Sequence, residues 1–408
     1  MVKSGNCYLV LNKGKRFSEP FFYSAICKFI KRVPFLMLTQ RRMKRFVKTF
    51  IQSFGRIARM SRSADEETYY PEEPRKGRWR ILFELLVWFL RHQEVNQYYY
   101  LYGFDRLALS DHSDYGGEIN QRDLRNNLNR RFARGKDVTS YVGLAADKFV
   151  CGIYFEALGV PTPKIFALMD CNGIRYRDDL QTHMPLSSLL NRQGMKAVCK
   201  EVLGGCGIGF MTVDVDSAGK LLLMDEEATV SDLEKSLYGT HILQERVIQH
   251  PSLCELYPSA VMTLRVVTVL KNGNSHVLAG TVRVGACGGK VDNFHAGGMM
   301  GPVDLKTGKL GKFFQFGPGK RGRFTHHPDT GVQFEGFQLP FVPDAVELCL
   351  ATHKFFYGIH SIGWDIVFTE NGPLILEAND EWMMGLVQFT NGGLRKQFND
   401  LCPEGISY

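Results

Sequence analysis

Near the end of this 408-residue chain, three oxygen-bearing side chains lie on two short apolar runs. Gly363-Trp364-Asp365-Ile366-Val367-Phe368 precedes a turn at Glu370-Asn371-Gly372, and Leu374-Ile375-Leu376-Glu377-Ala378-Asn379 follows it. A three-residue hairpin loop ending in Gly is a favoured type, because Gly takes the left-handed conformation there without steric penalty. With the loop at Glu370 to Gly372, residues 369 and 373 pair, and Asp365 falls opposite Glu377. Asn379, two residues on, faces the same way. Two opposed carboxylates repel unless something positive sits between them. Two acids and an amide suit Mg2+, which takes carboxylates, waters and substrate phosphates as ligands. The competing reading is an edge hairpin with solvated acids; the apolar flanks weigh for the metal.

Other stretches carry further candidate chemistry. Asp147-Lys148 opens a predicted helix through Leu158, closed by Gly159 and Val160-Pro161-Thr162-Pro163 before an apolar strand at Ile165 to Met169. Taken alone, Lys148 reads as a surface lysine. Ala197 to Lys200 reads as a strand end leading into Glu201-Val202-Leu203-Gly204-Gly205-Cys206-Gly207-Ile208-Gly209. Glycines there let backbone N–H groups approach an anion, and Lys200 supplies a point charge for a phosphate. A tight hairpin is the plainer alternative, since neither a Walker motif nor the acid of a dinucleotide fold follows. His241 to Val247 reads as a short strand that includes Glu245 and Arg246. Thr263 to Val269 is a clean strand interrupted by Arg265, and Arg283 raises the same question in Thr281-Val282-Arg283-Val284. A cation in such a strand needs a partner, either a structural acid or the phosphate and acyl group of a substrate. The loop Val291-Asp292-Asn293-Phe294-His295-Ala296-Gly297-Gly298 suits substrate contact through Asn293 and His295, although His295 fits a solvated loop equally well. No Ser-His-Asp or Cys-His set is evident.

The elements that must position these residues are legible in outline. From about residue 140 the chain alternates strands, turns and short helices, which predicts an α+β catalytic body over 140–408. Before it lie a basic segment, 1–64, and a helical extension with a linker, 65–139. Met43, Phe46, Val47, Phe50, Ile51, Phe54, Ile57 and Ala58 recur at helical spacing, with Arg41, Arg42, Lys44, Arg45, Lys48, Arg56 and Arg59 opposite. Such a basic amphipathic helix either lies on anionic lipid, through residues 28–62, or packs its stripe on the protein. Ser61 to Gly77 reads as a linker, Trp79 to Tyr102 as a packing helix and Gln121 to Arg134 as an exposed polar helix.

Composition bounds the function classes. With 44% hydrophobic and 23% charged residues, the chain reads as an ordinary soluble globular protein. The net charge is +8, but residues 1–64 alone carry 15 Lys and Arg against Glu19, and the remainder is net acidic. The basic character belongs to one segment, so no nucleic-acid partner is expected. Ten scattered cysteines without a C-x-x-C pair suit a reducing cytosol. The longest apolar run is too short to span a bilayer, and the start lacks a signal-peptide core, so a cytoplasmic location is expected.

In this order and spacing, the motifs over roughly 140–400 resemble the ATP-grasp superfamily, and within it the sugar-transfer-associated branch. The likeness rests on Asp147-Lys148 with Pro161-Thr162-Pro163, Gln244-Glu245-Arg246-Val247, Thr263 to Thr268, Asp292 to Gly298, and Gly363-Trp364-Asp365 with Glu377-Ala378-Asn379. It implies two α+β subdomains sandwiching ATP. Lys148 and Lys200 would contact ATP phosphates, and Gly204, Gly205, Gly207 and Gly209 would belong to the mobile loop over them. Glu245, Arg246 and Val247 would form the hinge whose backbone reads adenine. Arg265 and Arg283 would serve the reacting groups, Arg265 by steadying the transferred phosphoryl or acyl phosphate, while Asp365, Glu377 and Asn379 hold Mg2+. The loop departs from the Lys-Pro and more basic or Ser-rich pattern of many members.

The resemblance therefore implies a ligase that activates a carboxylate as an acyl phosphate for attack by an amine, in cell-surface polysaccharide or related biosynthesis. Its partners would be a small-molecule carboxylate and an amine or glycan-linked substrate. Such chemistry needs mainly positioning and charge neutralisation, which lysines, arginines, a metal and loop amides supply. The alternatives are an ATP-binding regulator or scaffold docked at a membrane, and a phosphotransferase.

Overall fold

Beyond residue 160 the short apolar runs form two antiparallel sheets, each of seven strands among the described residues. The computed structural model describes residues 40–131, 140–205, 207, 209–289, 292, 297–315 and 321–404. The first sheet holds β1 (Ile165–Asp170), β2 (Gly173–Tyr176), β3 (Lys196–Glu201), β4 (Met211–Val215), β5 (Leu221–Leu223), β6 (Glu226–Ala228) and β7 (His241–Glu245), in the order β2-β1-β7-β3-β4-β5-β6. The second holds β8 (Thr263–Lys271), β9 (Asn274–Val284), β10 (Met299–Pro302), β11 (Phe313–Gln315), β12 (Gly322–Phe324), β13 (Ser361–Thr369) and β14 (Gly372–Asn379), in the order β12-β11-β10-β9-β8-β13-β14. The longer helices are α1 (Gln40–Met60), α2 (Arg78–His92), α3 (Glu118–Arg131), α4 (Lys148–Ala157), α5 (Val230–Ser236), α6 (Val342–His353), α7 (Met384–Asn391) and α8 (Arg395–Leu401).

Strand parity sorts the second sheet into two faces. Leu264, Val266, Ile362, Trp364 and Ile366 join one core with Cys151 and Phe155 of α4 and Val342 and Ala345 of α6. Val267, Val269, Leu278 and Ala279 join another with Leu128 of α3, Val387 of α7 and Phe398 of α8. Arg265 and Asp365 share the parity of this second face. The first sheet has its own core of Ala167, Ala197, Cys199, Val213 and Leu243, capped by Leu233 of α5. A capping box between Thr229 and Asp232 starts α5.

The β13–β14 hairpin reaches the expected pairing by an unexpected route. Thr369 pairs with Gly372, so the loop has two residues rather than three. The register then shifts between Asp365 and Ile366, which leaves Leu376 as a bulge and puts Asp365 opposite Glu377. The bulge also explains how Ile375 enters the core beside Ile366 while Glu377 turns to the opposite face. Between α4 and β1, the Pro161 carbonyl accepts the Ile375 amide at 2.9 Å, so the chain there lies along the outer edge of β14.

The region before residue 140 departs from expectation in three places. α2 ends at His92, where Gln93 takes the left-handed conformation (φ 56°), and Tyr98 to Tyr102 are buried in turns rather than continuing the helix. Ser61 to Gly77 is packed, with Tyr69 and Tyr70 buried against Phe314 and with Glu67 and Glu72 paired to Arg321 and Arg323. α3 buries polar residues: Asn129 donates to the Ser361 and Asp380 carbonyls, both at 3.0 Å, and accepts the Ser361 amide at 2.9 Å. Amide side chains that satisfy backbone groups let so polar a helix be buried.

The chain divides into two compact units, residues 1–52 and 53–408. In the first, residues 40–52 are the start of α1, with Lys48 and Ile51 exposed; residues 28–39 lie outside the described residues. In the second, Ile57 of α1 is fully buried. Among the described residues, no helix is long and apolar enough to cross a membrane.

Candidate functional site

Adjacent strands of the second sheet bring Arg265, Asp365 and Glu377 into one row, with Arg265 opposite Asp365 and Asp365 opposite Glu377. Asp365 is 3% exposed. Arg265 grips it with Nε on Oδ1 and Nη2 on Oδ2 at 2.9 Å, and Arg283 Nη2 reaches the same Oδ2 at 2.8 Å. The acid partner that the interrupted β8 strand required is therefore Asp365 for Arg265, and Arg283 shares it. Burial works against ionising Asp365, yet the two guanidinium groups outweigh it and hold its carboxyl well below the usual carboxylate range. Gly363 makes room for this grip, since a Cβ there would lie 2.8 Å from Trp382 Cβ and 3.1 Å from Arg265 Cδ.

Asp292 completes the arrangement, and sequence reasoning did not single it out. Its Oδ2 accepts the Thr263 hydroxyl and stands 3.6 Å from Arg283 Nε, which also donates to Thr263 Oγ1 at 3.0 Å. Burial pushes the Asp292 carboxyl up, with Arg283 opposing. The Arg283 guanidinium is held above its ordinary value, because Asp365 and Asp292 outweigh its burial. The one available signal was an acid in a polar loop after two cation-bearing strands. Asn293 and His295, expected to touch substrate, lie outside the described residues.

Glu377 and Asn379 stand on the other side of Asp365. Asn379 Nδ2 lies 3.2 Å from Glu377 Oε1 and 3.4 Å from Asp365 Oδ2. Burial raises the Glu377 pKa and the neighbouring Asp365 charge raises it further, whereas Lys148 pulls it down. The fold thus maintains a repulsion between two carboxylates that a cation between them would relieve. With the Asn379 amide rotated half a turn, Asp365, Glu377 and Asn379 present oxygen donors alone, so their chemistry fits Mg2+. No group of three His, Cys, Asp or Glu side chains among the described residues is arranged as a metal site; the third donor here is an amide.

Lys148 links this row to the first sheet. Asp147 caps α4 by accepting the Phe149 and Val150 amides, each at 2.9 Å, which places Lys148 in the first turn. The Lys148 amide donates to the Val202 carbonyl at 3.1 Å, while its Nζ donates to the Gly204 carbonyl and lies 3.8 Å from Glu377 Oε2. Lys200 on β3 donates to Gln244 Oε1 at 3.2 Å. Burial lowers its pKa, and the nearby Glu377 charge opposes that shift. Four cations thus face three acids, an excess of positive charge suited to a polyanion.

The glycine loop and the chain after β7 complete the surroundings. Gly204 is half-buried; Gly205, Gly207 and Gly209 are exposed, and Gly207 and Gly209 have φ near +70°, a conformation that favours glycine. Cys206 and Ile208 lie outside the described residues. Glu245 and Arg246 donate their amides to the Lys164 and Lys196 carbonyls, at 2.8 and 3.2 Å. The Arg246 guanidinium is tied to Asp214 at 2.7 Å, so its side chain is occupied within the first sheet. From Val247 the chain crosses to the second sheet, where the His250 amide donates to the Phe368 carbonyl at 2.8 Å.

Residues 127–402 match the family described as sugar-transfer associated ATP-grasp. Solved structures similar to the chain include N5-carboxyaminoimidazole ribonucleotide synthetase from Thermotoga maritima, at 14% identity and a TM-score of 0.32, covering 59% of this chain and 43% of that one. D-alanyl-alanine synthetase A from Vibrio cholerae O1 biovar eltor is similar at 12% identity and a TM-score of 0.35, covering 66% and 62%. Biotin carboxylase from Campylobacter jejuni is similar at 11% identity and a TM-score of 0.36, covering 62% and 47%. The matched part of the chain spans less than two thirds of the length of each of these structures. No curated protein matches the chain.

Proposed function

Because the chain belongs to the sugar-transfer associated ATP-grasp family, we propose that it is an ATP-dependent ligase that activates a carboxylate as an acyl phosphate for attack by an amine or similar nucleophile. The observation that carries this reading is the meeting of Lys148 and Lys200 from one side with Arg265, Arg283, Asp365, Glu377 and Asn379 from the other. ATP would lie between the sheets, with its phosphates under the loop of Gly204 to Gly209 and its adenine against the backbone of Glu245 to Val247. The residues that would hold Mg2+ are Asp365, Glu377 and Asn379, and the ion would neutralise phosphate charge. Lys148 and Lys200 bind and orient the phosphates. A substrate carboxylate oxygen attacks the γ-phosphorus and the bond to ADP breaks. Arg265 and Arg283 meet the transferred charge through Nη1 groups that the contacts to Asp365 leave unused. The amine then attacks the acyl carbon, and phosphate leaves with the proton.

Assembly of cell-surface polysaccharide, or of a related metabolite, is the proposed setting, in the cytoplasm. The basic face of α1, within residues 28–62, would rest on an anionic membrane surface there. A screen of ADP release over amino acids, amino sugars and uronic acids, read by mass spectrometry, tests the activity. Release that requires both an acid and an amine supports ligation. Dependence on one acceptor alone indicates a phosphotransferase, and ATP binding without turnover indicates a regulator. Asp365→Asn and Glu377→Gln are expected to abolish Mg-ATP turnover while preserving the circular dichroism spectrum; full activity in either variant removes the metal assignment.

A further inference from the structure

α2 is apolar on both sides but buried on one. Ile81, Leu85, Trp88 and Phe89 face the interior, while Trp79 (73% exposed), Phe83 (66%), Val87 (39%) and Leu90 (47%) face outward at helical spacing. The exposed residues of α2 are those four and Arg78, Arg80 and Arg91. A helix apolar all round belongs in a core or a membrane, so an outward stripe of this kind marks a surface that something covers. Glu84 turns inward to Lys76 and Tyr99, and Glu72 and Glu73 pair with Arg323 and Arg106. Of the acids near it, Glu84 also accepts Arg80 Nε at 3.2 Å, and Asp111, exposed beside Phe83 and Arg91, accepts the Ser113 amide at 2.8 Å.

Charge selects the occupant. It must offer apolar area to Trp79, Phe83, Val87 and Leu90, and negative charge to Arg78 and Arg91, since Arg80 pairs with Glu84. A second copy of the chain presents the same arginines. The chain's own residues 1–39 carry seven Lys and Arg against one Glu, again the wrong sign. An anionic lipid bilayer meets both requirements, because a helix can lie in the headgroup plane with its aromatic and aliphatic residues among the acyl chains and its cations at the phosphates. We propose that the outward face of α2 is a docking surface for anionic membrane. This rests on a different observation from the basic face of α1.

Tryptophan fluorescence of the intact chain tests the proposal. Trp88, Trp364 and Trp382 are buried, so Trp79 is the exposed one of the four tryptophans. With phosphatidylcholine vesicles containing phosphatidylglycerol, its emission should shift to the blue and be quenched by brominated acyl chains; Trp79→Phe should abolish both changes. Phe83→Ser with Leu90→Ser should weaken co-sedimentation about 100-fold, and Arg78→Gln or Arg91→Gln about fivefold each. Unchanged emission and quenching in the wild-type protein overturns the proposal, as does equal response to phosphatidylcholine alone. If neutralising Arg41, Arg42, Lys44 and Arg45 stops sedimentation while Trp79 is never quenched, the α1 reading stands and this one falls.

Discussion

Asp292 touches no proposed ligand atom, yet with Thr263 it fixes the arginine that shares Asp365. Replacing it by Asn keeps the volume and removes the charge that balances Arg283. If Arg283 acts on the transferred group, kcat for ADP release should fall on the order of tenfold to a hundredfold, with KM for ATP nearly unchanged. A variant that raises KM at constant kcat would instead put Arg283 in ground-state binding. Contacts such as Arg265 with Asp365 join residues a hundred positions apart, so no local spacing announces them. What the residues did announce was a need: a cation within a buried strand had to have a partner. The opposition of Asp365 and Glu377 was also legible, although two offsets produced it, a shorter loop and the bulge at Leu376.

At the scale of elements, strand positions and the start of α4 followed from pattern and capping signals, whereas the extension did not. α3 is polar enough to read as exposed, but Gln121, Arg125 and Asn129 are buried, and Asn129 satisfies backbone groups of Ser361 and Asp380. Its first turn carries a testable consequence. Glu94 accepts the Ile119 amide at 2.8 Å, and burial raises its carboxyl from 4.5 to about 7. Below pH 4.5 the folded and unfolded chains both hold this proton. Between 4.5 and about 7 the folded chain keeps a proton that the unfolded one has lost, so this group's contribution to stability falls as pH rises, then levels off above. Glu94→Gln removes the titration. Thermal melts across pH 5 to 8 should show a flatter profile than the wild type, with the variant gaining most at pH 8. An equal slope in the two proteins would show that Glu94 ionises normally.

For the whole molecule, the family match begins at residue 127, inside α3, yet the packing that supports the second sheet reaches further back. The Tyr102 hydroxyl donates to the Gly385 carbonyl at 3.1 Å, Glu118 accepts the Gly385 amide at 2.8 Å, and Gln388 bonds Gly116 on both its amide atoms. Leu128 packs in the same core as Trp382, Met384 and Val387. These contacts hold α7 against the face that carries Arg265, while Trp382 and Arg265 both pack beside Gly363. Removing the extension would uncover apolar area and orphan several backbone groups at once, at about 1 to 3 kcal/mol for each buried group left unpaired. A chain beginning at residue 140 should therefore melt about 10 °C or more below one beginning at residue 53, or fail to fold cooperatively, with ADP release lost in parallel. If both melt within a few degrees of each other and turn over ATP equally, the extension is a separable layer, and the support of the catalytic row lies wholly within residues 140–408.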